Sequence, residues 1–511
     1  MTDHPAAGEG PELFVGLVGA TGTDMGKVER TLADAFDRVG YATVLLRVID
    51  LLRVIPGFDF PDTPEDDRLT KAMDAGDRFR AAVERNDALA LLAAARLAEG
   101  RHEVTGNAET PRRRTAYILR GLKRPEEIDT LRRIYGPNFL AIGAYEPRES
   151  RVRRLAEKIA RSRQHFHADG FREQAEQLVV RDQQDPQRVH GQRLGDAFAK
   201  VDAFVRADND QQLKTSVTRF VELVFGHPYH TPTPDELGMF LAHAAALRSA
   251  ALPRQVGAAI TTVDGSMVAV GCNDVPRAGG GIYWCSDERD GRDFLRGEES
   301  SDVSRQLMAE DIIKRLASAG WLNAGTMAQP IPDLARTALS SRDLFRGAHF
   351  DAVLEFGRIV HAEMAAITDA ARRGVATART TLYTTTFPCH NCARHIVAAG
   401  IARVVFIEPY PKSRALDLHA DSIALEGTGQ CDGKVSFEPF VGVAPRLFDD
   451  FFTMPTRVDK FGRTVATPGA GAQPRLASRS AAYLSEEATE LRNLRSILET
   501  LGISSSSGGA Q

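Results

Sequence analysis

Apolar runs of strand length alternate with segments of helical periodicity through the first 226 residues. Leu13–Gly19 is a continuous apolar run, and after a glycine-containing loop the amphipathic segment Val28–Val39 predicts a helix. The alternation continues through predicted strands at Tyr41–Leu52, Ala116–Leu119, Phe139–Tyr145 and Asp202–Val205, and predicted helices at Ala72–Leu97, Glu126–Tyr135 and Arg151–Arg163. Strands that alternate with helices predict a parallel sheet covered by helices.

The loop between the first strand and the first helix has the chain order of a P-loop, which binds phosphate through backbone amides and a lysine. Gly22, Gly26 and Lys27 are the candidate nucleotide-binding residues. Thr21 stands where the first glycine of G-x-x-x-x-G-K belongs, and Val28 replaces the Ser or Thr that ligates magnesium. We therefore predict a degenerate P-loop domain, which leaves nucleotide binding open and disfavours phosphotransfer.

The prolines of residues 227–234 mark a boundary between two domains, because proline continues neither a helix nor a central strand. His227 and His230 are expected to be linker residues. The predicted division is a disordered N-terminus (1–12), a P-loop NTPase or nucleotide-kinase-like domain (13–226), a second α/β domain (235–455) with an insert (275–355), and a tail (456–511). The tail is expected to be partly disordered and to carry one helix at Ser485–Leu501, capped by Ser485, that packs against a neighbouring subunit.

The second domain contains the clearest chemistry of the chain. His361 is followed by Glu363, and further on Pro388 precedes Cys389 and Cys392. Zinc favours imidazole and thiolate ligands, and three protein ligands leave a fourth position for water. We therefore predict His361, Cys389 and Cys392 as zinc ligands and Glu363 as the general acid and base. H-x-E with a later P-C-x-x-C is the signature of zinc-dependent nucleobase deaminases.

The alternative to a catalytic centre is a structural zinc site or a chance C-x-x-C at the start of a helix. A closed structural site needs four ligands. The nearest spare candidates, His390 and His395, are poorly placed in the sequence to supply the fourth.

These motifs, together with Arg254–Ala258, resemble the cytidine and deoxycytidylate deaminase superfamily over residues 237–455. Asn273 matches the asparagine by which the deoxycytidylate branch holds sugar or base, and a turn role is its alternative. The resemblance also implies phosphate contacts near Lys412 and Ser413, where a surface turn is the alternative. Arg254, Asn273, Lys412 and Ser413 are therefore the candidate substrate-binding residues.

A narrower resemblance rests on the insert residues Gly279–Trp284 and on the upstream run Ala116–Glu127. Both are similar to the long bacterial anti-phage dCTP deaminases, in which a P-loop kinase-like domain precedes a deaminase domain. The resemblance implies a three-layer α/β/α second domain, conversion of dCTP to dUTP or of dCMP to dUMP, depletion of dCTP in defence, and a homo-oligomer. It also implies a second metal involving Cys285 as an option, with a free thiol as the alternative. Apart from the resemblance, the aromatic residues Tyr283 and Trp284 are candidates for stacking on the cytosine ring, although packing under the insert is their commoner fate.

Composition limits the function classes. With 43% apolar and 26% charged residues, the 511-residue chain reads as globular, and no apolar run approaches the ~20 residues of a membrane span. The first residues lack a secretory signal, so we expect a cytoplasmic protein. A net charge of −4 weakens the alternative of an RNA or single-stranded DNA deaminase. A nucleotide sensor with a latent deaminase site is the other alternative.

Overall fold

The computed structural model describes residues 10–183, 190–341, 344–345, 356–408, 413–425, 433–454, 456–476 and 482–502. They form two compact units: unit 1 comprises the described residues up to Glu236 and from Val441 onward, and unit 2 runs from Leu237 to Phe440. The strands are β1 (Leu13–Gly19), β2 (Ala42–Arg47), β3 (Thr115–Leu122), β4 (Phe139–Tyr145), β5 (Ala203–Arg206), β6 (Gly257–Thr261), β7 (Met267–Cys272), β8 (Thr381–Thr386), β9 (Arg403–Glu408), β10 (Ile423–Leu425), β11 (Val435–Pro439) and β12 (Gly442–Val443).

The α-helices follow the same chain order. They are α1 (Met25–Arg38), α2 (Glu65–Val83), α3 (Ala88–Thr105), α4 (Pro125–Tyr135), α5 (Arg148–Ser162), α6 (Arg172–Gln183), α7 (Leu194–Phe198), α8 (Asp210–Val224), α9 (Pro234–Ala246), α10 (Ser300–Ser318), α11 (Ala324–Met327), α12 (Ile331–Ser340), α13 (Ala362–Arg372), α14 (His390–Ala398), α15 (Ala415–Leu418), α16 (Phe448–Phe452) and α17 (Tyr483–Thr500). None of the described helices is long and apolar enough to cross a membrane.

Unit 1 is built on a sheet in the order β12-β5-β4-β1-β3-β2, in which all pairs except β12 with β5 are parallel. The parallel sheet expected from the alternating pattern is therefore confirmed. Two predicted elements differ in extent. The strand expected at Tyr41–Leu52 ends at Arg47 and continues as a 3-10 helix, and the helix expected at Ala72–Leu97 is two helices separated at Glu84, which adopts a positive φ of 54°.

The C-terminal part of the chain belongs to unit 1, which corrects both the end of the second domain at 455 and the independent tail from 456. β12 pairs antiparallel with β5, and the backbone N–H of Ala444 donates to the carbonyl of Asp202 at 2.9 Å. Helix α17 packs on α3 and α4 of the same chain, so the neighbouring subunit predicted for it is not needed to cover it. Its N-cap is Ala482 and not Ser485.

A buried polar network joins α17 to the start of the chain. Arg101 on α3 forms ion pairs with Glu12, at 3.3 Å, and with Glu487 of α17. Glu487 also accepts from the Tyr135 hydroxyl at 2.6 Å, and Glu12 accepts from Tyr483 at 2.5 Å. The prediction of a disordered N-terminus over 1–12 is therefore wrong for Glu12, which is fully buried; residues 1–9 lie outside the described residues.

Unit 2 is a second sheet, in the order β10-β11-β9-β8-β6-β7, with parallel pairs from β10 to β8 and antiparallel pairs from β8 to β7. Side chains alternate between two helical layers. Leu382 belongs to the core cluster shared with α13 and α14, whereas the neighbouring Tyr383 lies against Gly238 of α9. Helices therefore lie on both faces of the sheet.

The insert predicted at 275–355 contains helices in its described part. Helices α10 and α12 pack together around Ala309, Ile313 and Ala335. Arg358, just after the insert, forms a 2.8 Å ion pair with the buried Asp293. Residues 342–343 and 346–355 of this region lie outside the described residues.

Candidate active site

His361 sits at the N-cap of α13, and close packing of this helix on β7 fixes its position. A Cβ on Gly271 would collide with the backbone at Ala366 and Ala362. Ala362, Ala366 and Ala370 face the core, so small residues on both surfaces let the helix lie against the strand. The small residues at this contact allow α13 to pack closely on β7, and this close packing fixes the positions of His361 and Glu363.

The two cysteines lie at the start of α14. Cys389 is the N-cap, and its sulfur accepts from the backbone N–H of Cys392 at 3.5 Å. Both thiols are buried. The N-terminus of a helix stabilises negative charge, so this position favours thiolates.

The three candidate ligands converge. Nδ1 of His361 lies 3.3 Å from Sγ of Cys389 and 3.3 Å from Sγ of Cys392. Zinc–sulfur and zinc–nitrogen bonds of about 2.3 and 2.0 Å in a tetrahedron place sulfur and nitrogen about 3.5 Å apart. The observed spacing is close to that value, so the group fits a zinc ion. Within the residues that the structure describes, this metal-ligating group contains three side chains and no fourth.

The charges in the group suit a metal site. Hydrogen bonds from Cys392 and His361 lower the pKa of the Cys389 thiol to about 4. The pKa of Cys392 is raised because its thiol serves as the donor to Cys389 and is buried. The helix N-terminus and the nearby imidazole therefore favour a thiolate at Cys389, and a zinc ion would favour one at Cys392.

Glu363 lies beside the ligands without belonging to the group. It is 4% exposed, and its Oε2 is 3.4 Å from Sγ of Cys392. Burial raises the pKa of its carboxyl group, and the neighbouring His361 opposes this shift. A carboxyl group whose pKa is moved toward neutrality can both accept and return a proton, as predicted for this residue.

The predicted substrate residues have different surroundings. Asn273 is held by the backbone: its Oδ1 accepts from Val256 N–H at 2.7 Å, and its Nδ2 donates to the Arg254 carbonyl at 2.9 Å. The side chain of Arg254 is 46% exposed and approaches Glu408 at 3.7 Å. The hydrogen bond with Cys389 raises the pKa of His361, and the nearby positive charge of Arg254 opposes this shift. Asn273 thus fixes the segment that carries Arg254.

Ser413 is placed next to the cysteine helix, where its hydroxyl donates to the Pro388 carbonyl at 2.8 Å and accepts from Ala415 N–H at 3.2 Å. Its observed role is to hold the start of α15 next to Pro388, just before α14. Lys412, the other predicted phosphate contact, lies outside the described residues.

Sequence reasoning missed Arg248, whose guanidinium lies 3.3 Å from the ring centroid of Trp284. Arg248 also donates to the carbonyl of Ile282 at 3.2 Å, so it ties the glycine-rich insert to the segment before β6. Trp284 is 49% exposed and has this cation on one face. Among the described residues, Cys285 joins no group of three metal-ligating side chains.

The glycine loop of unit 1 has the predicted shape but is bonded to other parts of the same unit. Thr21 N–H donates to Asp182 at 2.6 Å, and Asp24 N–H donates to Glu146 at 3.1 Å. Lys27 N–H donates to the Asp24 side chain at 3.1 Å. Three loop amides that a phosphate would use thus already face carboxylates.

The lysine of the loop is also paired. Nζ of Lys27 lies 2.6 Å from Asp210 of α8. Gly22 has a φ of 90°, and a Cβ there would approach the Arg151 carbonyl to 2.7 Å, so this glycine is required by the close contact with α5. Gly26 lies in the first turn of α1.

The linker histidines approach a carboxylate. Nε2 of His230 is 2.6 Å from Glu222, and the rings of His227 and His230 stack with centroids 4.0 Å apart. The ligand atoms of these three residues lie within 4.8 Å of one another. The ion pair with Glu222 accounts for the placement of His230, a contact that the linker prediction did not anticipate.

Comparisons with known proteins agree with the site in unit 2. Residues 232–408 match the model of the cytidine and deoxycytidylate deaminase zinc-binding region. The deoxycytidylate deaminase of Enterobacteria phage T2 is 42% identical over 55 residues, which are 11% of this chain and 29% of that protein. ComE operon protein 2 of Bacillus subtilis is 42% identical over 53 residues, 10% of this chain and 28% of the relative. The chain thus spans under a third of the curated relatives it matches.

A solved dCMP deaminase from cyanophage S-TIM5, in complex with dCMP and dUMP, aligns with 42% of this chain and 100% of its own at 16% identity, with a TM-score of 0.23. The predicted zinc cofactor is confirmed by the family model together with the His/Cys/Cys group. Residues 232–408 are therefore similar to the zinc-binding region of cytidine and deoxycytidylate deaminases.

Proposed function

We propose that the protein hydrolytically deaminates free deoxycytidine nucleotides, with zinc held by His361, Cys389 and Cys392. The observation that carries this proposal is the convergence of one imidazole nitrogen and two thiols, each sulfur 3.3 Å from Nδ1, beside a buried glutamate. Three ligands, with no fourth side chain among the described residues, leave a position for water, as a catalytic zinc site requires.

The chain's own residues divide the work. Zinc, when bound at this group, lowers the pKa of a water molecule and so supplies a nucleophile. Glu363 accepts one proton of the attacking water and delivers it to N3 of cytosine, then accepts the second proton, from the hydroxyl added to the ring, and delivers it to the departing amine. Water and the cytosine ring give uracil and ammonia, so atoms balance without a co-reactant. Burial of Glu363 supports this role because the pKa shift brings the carboxyl group nearer to neutral pH.

Nucleotide selection is proposed to depend on Arg254. Its half-exposed guanidinium lies near His361, where it could neutralise a phosphate of the substrate. Asn273 is proposed to act as a positioning residue, because both ends of its amide hold the backbone on either side of Gln255. Preference for dCTP over dCMP and a role in phage defence are proposed from the resemblance of the insert and the upstream run to anti-phage dCTP deaminases.

Ammonia release with chromatographic identification of the product tests the proposal. Zinc-loaded protein is given dCTP, dCMP, cytidine and a cytosine-containing oligonucleotide separately. We expect conversion of one or both deoxynucleotides to the uracil product, with Arg254→Ala raising KM more than it lowers kcat. Arg372→Ala, at an exposed position of α13, is the matched control. Conversion of the oligonucleotide in preference to both nucleotides would contradict the proposal.

A further inference from the structure

Unit 1 contains a cavity of about 820 Å³ beside the carboxyl ends of β2 and β3. Arg47 and Arg120 are paired residues in the register of these parallel strands, and both side chains line it. In open α/β sheets ligands bind in crevices at the carboxyl ends of strands. Six cationic side chains line the cavity: Arg47, Arg53, Arg68, Arg120, Lys158 and Arg161.

The acidic lining residues balance only part of this charge. Asp50 and Asp62 lie 3.3 and 2.8 Å from Arg53, and Glu65 lies 2.7 Å from Arg68. The three carboxylates are therefore engaged by two of the six cations. With six cationic and three acidic side chains, the lining has a net charge of +3.

The excess lies on the side toward α5 and the strand ends. Within the described part of the chain, no carboxylate comes within ion-pair distance of Arg47, Lys158 or Arg161. Arg120 is 3.3 Å from Glu29, which lies outside the lining. Burial and the nearby Arg47 lower the pKa of Arg120, although Glu29 opposes this shift, so the cations repel one another in the absence of an anion.

The lining also restricts the kind of anion. All of its side chains are charged except Ser162, so it offers no aromatic ring for stacking on a base. Its volume lies within the ~300–1,000 Å³ of small-molecule sites, and arginines recognise phosphate oxygens in pairs. We propose that this cavity binds a polyphosphate, either free or as the phosphate chain of a nucleotide.

The proposal assigns anion binding in unit 1 to a place other than the glycine loop. A phosphate at that loop would have to displace Asp182 from Thr21 N–H and Glu146 from Asp24 N–H. The arginine-lined cavity requires no such exchange. Polyphosphate binding at this cavity goes beyond the proposed deaminase function, because no residue of the zinc site lines the cavity.

Binding of inorganic tripolyphosphate and of ATP to the zinc-loaded full chain, measured by titration calorimetry at physiological ionic strength, tests the proposal. The test variant carries Arg47→Ser, Lys158→Ser and Arg161→Ser, all at exposed positions. The control variant carries Arg38→Ser, Arg148→Ser and Arg153→Ser, which are exposed, remove the same charge from unit 1 and lie outside the lining. Any zinc chelation by the probe affects both variants equally.

We expect the test variant to bind both probes at least tenfold more weakly than wild type and the control variant to change by less than twofold. Equal affinities for tripolyphosphate and ATP would identify the phosphate chain as the ligand, and tighter ATP binding would identify a nucleotide. Lys27→Ala should leave both affinities unchanged. The proposal is overturned if the test variant binds like wild type, if wild type binds neither probe at millimolar concentration, or if only Lys27→Ala loses binding. The readout does not involve deamination, so its failure and that of the proposed function are distinguishable.

Discussion

The His/Cys/Cys group of unit 2 and the glycine loop of unit 1 are both sites with sequence motifs, yet their donor groups are used differently. At the first, one nitrogen and two sulfurs face a common point without a fourth side-chain ligand among the described residues. At the second, amides and the Lys27 ammonium are bonded to carboxylates of the same unit. A motif supplies the donors, but the residues packed around it decide whether a ligand can use them.

The largest expected effect follows from removing a converging ligand. His361→Ala should lower bound zinc from one ion per chain to near none and abolish deamination, because two thiols alone do not complete the site. Zinc content by mass spectrometry is the measurement. His395→Ala on α14 is the matched control and should keep both metal and activity. If His361→Ala kept its full zinc content and only His230→Ala lost zinc, the metal would lie in unit 1 and not at the His/Cys/Cys group of unit 2, which would contradict our account.

The next effect is structural and concerns the carboxylates at the glycine loop. Asp182 is fully buried and pairs with Lys123 at 2.8 Å as well as with Thr21 N–H. Asp182→Ala should lower the free energy of unfolding of unit 1 by about 3 kcal/mol, because it leaves a cation and an amide unpaired. Hydrogen exchange at β1 is the measurement. Asp210→Ala, which removes an exposed partner, should cost under about 1 kcal/mol. Equal costs would contradict the account.

Buried carboxylates of unit 1 should also make its stability depend on pH. Burial raises the pKa of Glu487 to about 7, against an ordinary value of 4.5. Because the folded-state pKa exceeds the unfolded one, the stabilising contribution of this group is complete below about pH 4.5 and is lost as pH rises through 7. The free energy of unfolding, measured by hydrogen exchange at α17, should therefore fall by about 2–3 kcal/mol between pH 5 and 8.

Glu487→Gln should remove that part of the decline, whereas Glu486→Gln, at a half-exposed neighbouring position, should retain it. A wild-type pH profile that is flat over this window, or one that is unchanged in Glu487→Gln, would show that Glu487 stays ionised in the folded protein.

The smallest expected effect is that of Lys27→Ala. Lys27 forms an ion pair with Asp210, whose side chain is largely exposed. Loss of this ion pair should therefore lower the free energy of unfolding by under about 1 kcal/mol. Deamination of the preferred deoxynucleotide should change by less than twofold. A tenfold loss of deamination would mean that the glycine loop acts on catalysis and would remove the contrast between the two sites.

The sequence was sufficient to predict the parallel sheet of unit 1 and the grouping of His361, Glu363, Cys389 and Cys392 in unit 2, because both depend on local patterns. Apolar runs defined β1 and β4, and the spacing of Cys389 and Cys392 follows from one turn of helix. The identity of Glu363 as the nearby carboxylate followed from its place two residues after His361.

Contacts between residues distant in sequence were not predictable in the same way. Glu12 and Glu487 are 475 positions apart in the sequence yet share Arg101, so no local pattern could assign α17 to unit 1. The same holds for Asp182 at the glycine loop. The predicted homo-oligomer and cytoplasmic location stay predictions, and Lys412 lies outside the described residues.

The most direct test of the account is deamination by Glu363→Gln, with zinc content measured on the same sample. Asp369→Asn, farther along α13, is the matched control. We predict that Glu363→Gln retains zinc and loses about 10²–10⁴-fold in deamination of the preferred deoxynucleotide, while the control behaves like wild type. Wild-type activity in zinc-loaded Glu363→Gln would contradict the assignment of this glutamate as the proton carrier, and with it the proposed deaminase centre.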